Sequence, residues 1–300
     1  MIQDYDGEKW SPTCYLAKND ILVLEDLREQ GFTLRSQETM DINSLKSAAA
    51  TLARFHACSV LAERRLGKPL NEAFPTFFSE KICNNTNKFG QVAKVGYETQ
   101  ILMAKKFNLD TTFIVPNIYD YVSEMVRPQK GELNVVCHSD LYKYNIMFNG
   151  NNAALILDYQ LLRYASPVID LSLLLHLNTT PEFRKTSSIN IMKHYYSVFN
   201  DTLQRSKLQI NIPPYENMIQ MYHKCKIVGM ATSVDYLASL YLSPKLRFKI
   251  WNEEKVLERF LIHSRIDILG PELETNIDYA RKMKNILCEY LDEAKRVLKL

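Results

Sequence analysis

The sequence predicts an α+β protein with a small amount of β structure and a mainly helical remainder. Two short apolar segments near the N-terminus, residues 13–17 and 21–27, are typical of strands joined by a turn. A second pair of apolar segments, 135–148 and 155–158, flanks Asn149-Gly150-Asn151-Asn152, which is a strong hairpin turn sequence. Most other segments carry apolar residues at helical spacing.

Composition limits the class of protein. The 300 residues are 46% hydrophobic and 24% charged, which is enough to bury a sizeable core. A formal net charge of +3 is too small to indicate a nucleic-acid partner, and no apolar run reaches the ~18 residues of a membrane span. The six cysteines form no C-x-x-C pair, which favours reduced thiols. We expect a cytoplasmic protein with no nucleic-acid and no membrane partner; its oligomeric state is unknown.

The N-terminal apolar segments predict a hairpin. Residues 13–17 form its first strand, Lys18-Asn19-Asp20 form the turn, and residues 21–27 form a second, buried strand. Residues 28–32 are loop-like, and residues 1–11 carry little signal. Taken alone, residues 21–27 are compatible with an ordinary hairpin strand.

Helices are predicted from capping residues and periodicity. Asp41 is a plausible N-cap for a helix that runs to about Glu63, with His56 on its apolar face as a hydrogen-bonded core histidine. Ser166-Pro167 fits the start of a helix over 168–177. Asp170 would lie in its first turn, where the helix dipole favours a carboxylate. Further helical segments are predicted at 92–107, 112–125, 181–206, 251–263 and 272–300, and residues 215–242 are predicted to form one long helix or a pair of helices.

The candidate chemistry lies in the central hairpin. His138 and Asp140 occupy a tight loop after the first strand, Asn145 opens the next strand, and Asp158 ends the last one. The hairpin therefore brings Asn145 and Asp158 to one end of two paired strands, beside Asp140. A carboxylate that accepts a hydroxyl proton and oxygen ligands for Mg²⁺ are what phosphoryl transfer requires. The alternative is a polar loop whose Asp and Asn residues only make turns.

The spacing of these residues resembles the ecdysteroid kinase-like family, also described as choline-kinase-like, within the protein-kinase-like fold. The resemblance covers about Pro12 to Leu242 and extends to choline and aminoglycoside phosphotransferases. Its marks are residues 21–27 with Gly31-Phe32, Leu52 to Ala57, Cys137 to Leu141, Asn145 to Phe148, and Asp158-Tyr159-Gln160 through Leu171.

The resemblance implies an ATP- and Mg²⁺-dependent phosphotransferase that acts on a hydroxyl group of a small molecule, either an ecdysteroid-like compound or another alcohol. A choline- or aminoglycoside-type kinase is an alternative. By resemblance only, roles fall on seven residues: Asp140 as catalytic base, His138 and Asp170 as braces of its loop, Asn145 and Asp158 as Mg²⁺ ligands, and Glu25 and Leu27 as hinge residues whose backbone contacts adenine.

The same resemblance predicts a truncated N-lobe β remnant and hinge strand at residues 1–31, and a mostly α-helical C-lobe with the acceptor pocket at residues 32–300. Two departures stand out. Ser139 replaces the glycine of the family's H-G-D pattern, and only residues 1–20 precede the hinge strand, without a glycine-rich loop or a Lys–Glu pair.

Three interpretations therefore stay open: a kinase whose sequence is given in part, a short ligand- or partner-binding member that is impaired in catalysis, and a non-enzymatic interaction protein. We further expect a shortened sheet to expose an apolar edge at residues 21–24.

Overall fold

The computed structural model describes residues 7–84, 86–206 and 208–300. The chain divides into two compact units, residues 1–79 with 128–223 and residues 80–127 with 224–300. Short strands occur among long helices, so the predicted α+β class is confirmed. The predicted division at residue 31 stays a prediction.

The described part of the first unit contains three small antiparallel sheets. Their strands are β1 (Cys14–Lys18) with β2 (Ile21–Leu24), then β3 (Thr33–Leu34), β5 (Ile146–Phe148) and β6 (Ala154–Ile156) in the order β3-β5-β6, and finally β4 (Val135–Cys137) with β7 (Arg163–Ala165). Short 3₁₀ turns cover Leu27–Gln30 and Lys143–Asn145.

The helices of the first unit are α1 (Ile42–Leu66), α2 (Leu70–Ala73), α5 (Val168–Asn178), α6 (Pro181–Arg205) and the beginning of α7 (Tyr215–Leu240). All residues of α5 are buried, as expected for a helix that is apolar on every side. α1 begins where the sequence predicts, because the Asp41 carboxylate accepts a hydrogen bond of 2.7 Å from the Ser44 N–H.

The second unit is helical in the part of it that the structure describes. It comprises α3 (Lys88–Lys106), α4 (Tyr119–Met125), the remainder of α7, α8 (Pro244–Asn252), α9 (Glu254–Glu258), α10 (Ile266–Thr275) and α11 (Ile277–Leu298). The predicted single helices at 251–263 and 272–300 are wrong, since the chain leaves helical geometry at Glu253 and Asn276. The Asn276 side chain instead caps α11 by accepting from the Tyr279 N–H.

Arg265 lies between α3 and α7 in the second unit, where its Nη2 atom donates to the Val92 carbonyl of α3 at 3.1 Å. Arg265 pairs with Asp235, and a Cβ atom on Gly96 would lie 2.5 Å from Asp235 Oδ1. Burial raises the pKa of the Asp235 carboxyl, although Arg265 acts in the opposite direction. Gly96 is therefore required for this close approach. Among the described residues, no helix is both long and apolar enough to cross a membrane.

The β1–β2 hairpin corrects the prediction of a buried second strand. Every residue of β1 and β2 is exposed, including Leu22 with 64% of its surface accessible. The two strands pair only with each other among the described residues. A two-stranded ribbon has too few neighbours to bury its side chains, and it leaves an exposed apolar edge at residues 21–24, as expected.

We predict that the exposed hairpin makes the chain self-associate as its concentration rises, because unpaired apolar edges favour strand pairing between copies. The substitution Leu22→Lys should reduce the apparent mass at high concentration, as measured by light scattering. Ile277→Lys is the matched control, because Ile277 is 84% exposed outside the hairpin. A wild-type chain that stays monomeric at every concentration would contradict this expectation.

Candidate active site

A tight buried loop follows β4 and contains His138, Ser139 and Asp140. Pairing of β4 with β7 fixes where this loop begins, since Cys137 lies opposite Arg163. The loop has no regular secondary structure, so its backbone N–H groups need partners from elsewhere in the chain.

The Asp170 carboxylate accepts hydrogen bonds from two of these backbone N–H groups. Its Oδ2 atom accepts from the His138 N–H at 2.6 Å, and its Oδ1 atom accepts from the Ser139 N–H at 2.8 Å. Asp170 is fully buried in the first turn of α5. The Asp170 side chain therefore reaches back to the predicted catalytic loop and connects α5 to it.

His56 completes the surroundings of this carboxylate. Its Nε2 atom lies 3.1 Å from Asp170 Oδ2, and its Nδ1 atom lies 2.7 Å from the Tyr195 hydroxyl. As predicted, His56 is a hydrogen-bonded core histidine. Burial by itself raises the pKa of Asp170, but the contacts with His56 and His138 outweigh burial and hold that pKa below its ordinary value.

His138 braces the loop from inside. Its Nδ1 atom accepts from the Asp140 N–H at 3.2 Å, and its Nε2 atom lies 2.8 Å from the Leu157 carbonyl oxygen. Because a carbonyl only accepts, Nε2 is the donor of this hydrogen bond. The Tyr159 ring packs edge-on against the imidazole, with the centroids 4.9 Å apart. His138 thereby connects the loop to the strand before Asp158.

Asn145 orients the carboxylate of Asp140. The Asn145 Nδ2 atom lies 2.9 Å from Asp140 Oδ2 and 2.9 Å from the Asp140 carbonyl oxygen. This hydrogen bond holds the Asp140 carboxylate in one orientation. Asp140 is only 5% exposed, so the carboxylate is also poorly solvated. Asn145 closes a 3₁₀ turn and β5 begins one residue later, which differs slightly from the predicted strand start.

The β5–β6 hairpin brings Asp158 to the same end as Asn145. Ile146 lies opposite Ile156, and the Leu157 N–H donates to the Asn145 carbonyl at 2.8 Å. β6 ends at Ile156, before Asp158, because Asp158 adopts a left-handed conformation with φ of 61°. Aspartate tolerates this conformation better than most residues, and it turns the chain out of the sheet.

The donor atoms at this end of the hairpin fit Mg²⁺. The amide nitrogen of Asn145 is bound to Asp140, so its oxygen is the remaining polar atom of that amide. The Asp158 carboxylate accepts from Gln160 Nε2 at 3.0 Å through Oδ2. An amide oxygen and a carboxylate are hard ligands of the kind that Mg²⁺ prefers.

A second set of potential ligand atoms lies deeper, on His56, Cys137 and Asp170, within 4.8 Å of one another. All three are buried and already bonded inside the core. Asp170 accepts three N–H groups, and Cys137 Sγ lies 3.4 Å from the Ser166 carbonyl oxygen. Because these atoms already make hydrogen bonds inside the core, they are not available to coordinate a cation.

The predicted hinge residue Leu27 packs against the same hairpin. Leu27 is 4% exposed and forms a cluster with Phe32 and Leu155. The Glu25 N–H donates to the Thr13 carbonyl, and the Leu27 carbonyl accepts from the Phe32 N–H. The predicted contact of the Glu25 and Leu27 backbone with adenine stays a prediction.

The Glu25 side chain is structural. Its carboxylate accepts from the Thr13 N–H at 2.8 Å and also binds Gln30 and Lys9. These hydrogen bonds, chiefly the one from the Thr13 backbone, lower the pKa of Glu25 to about 2.

Ser139 is strained in this loop. Its φ is 69°, in the left-handed region that favours glycine, and its buried Oγ atom has no hydrogen-bond partner. Serine is therefore less favourable than glycine at this position, since both the backbone conformation and the unsatisfied hydroxyl oppose it.

Sequence reasoning missed three supporting residues. Asn178 Nδ2 donates to the Leu141 carbonyl at 2.7 Å, and the Tyr195 hydroxyl holds His56. The Trp10 carbonyl accepts from the Ile156 N–H at 2.8 Å, although residues 1–11 carry little sequence signal. A polar residue at the end of an otherwise apolar helix could have indicated Asn178; nothing local indicates the other two.

A shallow groove also lies in the first unit, beside the start of α5. Glu132, Tyr195, Phe199 and Met221 are among the residues that line it. Because Tyr195 also binds His56, the groove and the catalytic loop share one supporting side chain.

Comparison with known proteins gives one family match. The sequence model described as the ecdysteroid kinase-like family matches residues 1–208, which contain all seven predicted site residues. No curated protein sequence matches the chain.

Several solved structures are similar to the chain at low identity. Choline kinase from Cryptosporidium parvum Iowa II is 12% identical, with 97% of this chain and 75% of that chain covered and a TM-score of 0.49. Plasmodium vivax ethanolamine kinase is 11% identical, with coverages of 96% and 70% and a TM-score of 0.48. An aminoglycoside phosphotransferase from Alicyclobacillus acidocaldarius is 14% identical, with coverages of 92% and 72% and a TM-score of 0.34. Identities this low do not carry an activity to this chain.

We predict that Ser139→Gly stabilises the protein by about 1 kcal/mol, because it removes a left-handed Cβ and an unsatisfied hydroxyl at the cost of extra unfolded-state entropy. Urea denaturation should show a higher midpoint. Ser188→Gly, within α6, is the control and should lower the midpoint. A lower midpoint for Ser139→Gly would contradict the assigned strain.

We predict that Asp170→Asn lowers the free energy of unfolding by about 3 kcal/mol at neutral pH, because three hydrogen bonds lose a charged acceptor. The pKa of Asp170 is lowered by folding, so its contribution is complete above the ordinary carboxyl pKa near 4 and is lost as pH falls below that value. The variant should therefore show a weaker loss of stability in acid. Urea titrations across pH measure this, with exposed Asp292→Asn as control; equal acid sensitivity in wild type and Asp170→Asn would count against it.

Proposed function

This chain belongs to the ecdysteroid kinase-like family, whose protein-kinase-like fold it has, and from that premise we propose that it transfers the γ-phosphoryl group of ATP to a hydroxyl group of a small molecule. The observation that carries the proposal is the buried Asp140 carboxylate, which Asn145 holds at 2.9 Å beside the hairpin end that presents Asp158.

Asp140 is the proposed catalytic base. The attacking hydroxyl must lose its proton as the bond to phosphorus forms, and a positioned carboxylate accepts that proton. The Asn145 hydrogen bond fixes one oxygen of Asp140, and the His138 ring fixes the backbone N–H of the same residue. Correct positioning of this kind supplies much of the rate in phosphoryl transfer.

Asn145 and Asp158 are the proposed cation ligands, through an amide oxygen and a carboxylate. When bound, Mg²⁺ neutralises charge on the β- and γ-phosphates. Because one hairpin carries both ligands, a cation at this end would be anchored on the same strands that Leu27 packs against.

The Glu25 carbonyl and the Leu27 N–H are the proposed adenine contacts. Leu155, in the cluster with Leu27, lies on β6, which leads toward Asp158. This packing supports a nucleotide placed with its base near the hinge and its phosphates near the hairpin end.

The proposed acceptor is a small-molecule alcohol. The first compound to test is an ecdysteroid, which is a polyhydroxylated steroid, because the family description names this class. Choline and ethanolamine are further candidates, since the similar solved structures include kinases of those compounds.

We predict that purified chain phosphorylates one member of such an alcohol panel with Mg-ATP, and that Asp140→Asn lowers kcat at least ~100-fold, since a general base contributes that much or more. Mg-ATP should raise the Tm of wild type and of Asp140→Asn, whereas Asp158→Asn should weaken this shift. Exposed Asp201→Asn is the control and should leave both measurements unchanged.

The possible outcomes separate the interpretations. A Tm shift without turnover on any acceptor would favour a nucleotide-binding member that is impaired in catalysis. Absence of any Tm shift with Mg-ATP would overturn both the kinase and the nucleotide-binding proposals.

A further inference from the structure

Helix α8 in the second unit presents two large aromatic side chains to solvent. Phe248 is 69% exposed and Trp251 is 52% exposed. They are three positions apart, so they lie on one face of the helix. Ile250, on the opposite face, is fully buried. The outward direction of the aromatic face is therefore fixed by packing of the inner face.

Basic residues flank this aromatic face on both sides. Helical geometry places Lys245 and Lys249 along one flank and Arg247 along the other. Lys245 and Lys249 are exposed and have no ion-pair partner in the part of the chain that the structure describes. No acidic residue occurs within α8; Glu253 and Glu254 follow it.

We propose that α8 docks on the surface of a lipid bilayer that carries anionic headgroups. Tryptophan and phenylalanine insert favourably at the boundary between headgroups and acyl chains, and flanking lysines are attracted by anionic lipids. This contact needs no membrane-spanning helix. It departs from the sequence-based expectation of no membrane partner, which rests on the absence of a spanning segment.

A bilayer fits this face better than a folded acidic protein does. A helix of nine residues is only about 13 Å long. A stable protein interface buries about 800 Å² on each partner, which requires more surface than one short helix offers. A membrane contact can depend on a few inserted aromatic side chains and nearby charges.

Fluorescence of Trp251 tests the proposal directly. The chain has two tryptophans, so Trp10→Phe leaves Trp251 as the sole one. Vesicles of phosphatidylcholine mixed with phosphatidylserine should shift the Trp251 emission to the blue and carry the full chain with them in co-sedimentation. Vesicles of phosphatidylcholine alone should do so weakly, and high salt should reverse binding.

Variants locate the contact. Phe248→Ala with Trp251→Ala should reduce vesicle binding at least ~10-fold, and Lys245→Gln or Lys249→Gln about fivefold each, as expected for about 1 kcal/mol per basic residue. Phe77→Ala, at an equally exposed phenylalanine, and Lys185→Gln are the controls and should change nothing. Circular dichroism and Tm confirm that each variant folds.

Any of the following results would overturn the proposal: no binding to anionic vesicles at low salt, binding that persists unchanged without Phe248 and Trp251, or equal binding to both kinds of vesicle. Capture of an acidic protein through α8 without vesicle binding would also overturn it.

Discussion

The Asp170 carboxylate is the interaction on which the first unit depends. One buried side chain satisfies two consecutive backbone N–H groups of the proposed catalytic loop and the imidazole of His56. It thereby links the central helix α5, the long helix α1 and the loop that carries Asp140. Removing a charge from water is costly, and the three donors together offset that cost. The position of the loop backbone is consequently set by α5.

Features determined by neighbouring residues could be predicted from the sequence. The Asp41 cap, the Asn149 to Asn152 turn and the start of α5 each depend on a few adjacent residues, so local chemistry was sufficient. The hairpin also fixed which end Asn145 and Asp158 share, since strand pairing follows from the turn. The placement of Asn145 and Asp158 at one end of the hairpin could therefore be predicted from the sequence.

Features that depend on distant contacts could not be predicted in this way. An apolar strand such as β2 looks buried in sequence, and only the absence of covering elements among the described residues shows that it is exposed. Tyr195 supports His56 across a separation of 139 residues, and no local pattern encodes that pairing. The strain at Ser139 likewise arises from backbone geometry, which residue type alone does not reveal.

The hairpin between the two proposed ligands has a consequence for how this protein can vary. Asn145 and Asp158 lie at the open end of β5 and β6, whereas residues 149–153 form the closed tip. Insertions or deletions at the tip change the loop but preserve the pairing of Ile146 with Ile156. The relative positions of Asn145 and Asp158 therefore stay the same. A single residue inserted between Asp140 and Asn145 has no such protection, because it separates the amide from the carboxylate it orients. Length variation among relatives should therefore be tolerated at one end of this hairpin and excluded at the other.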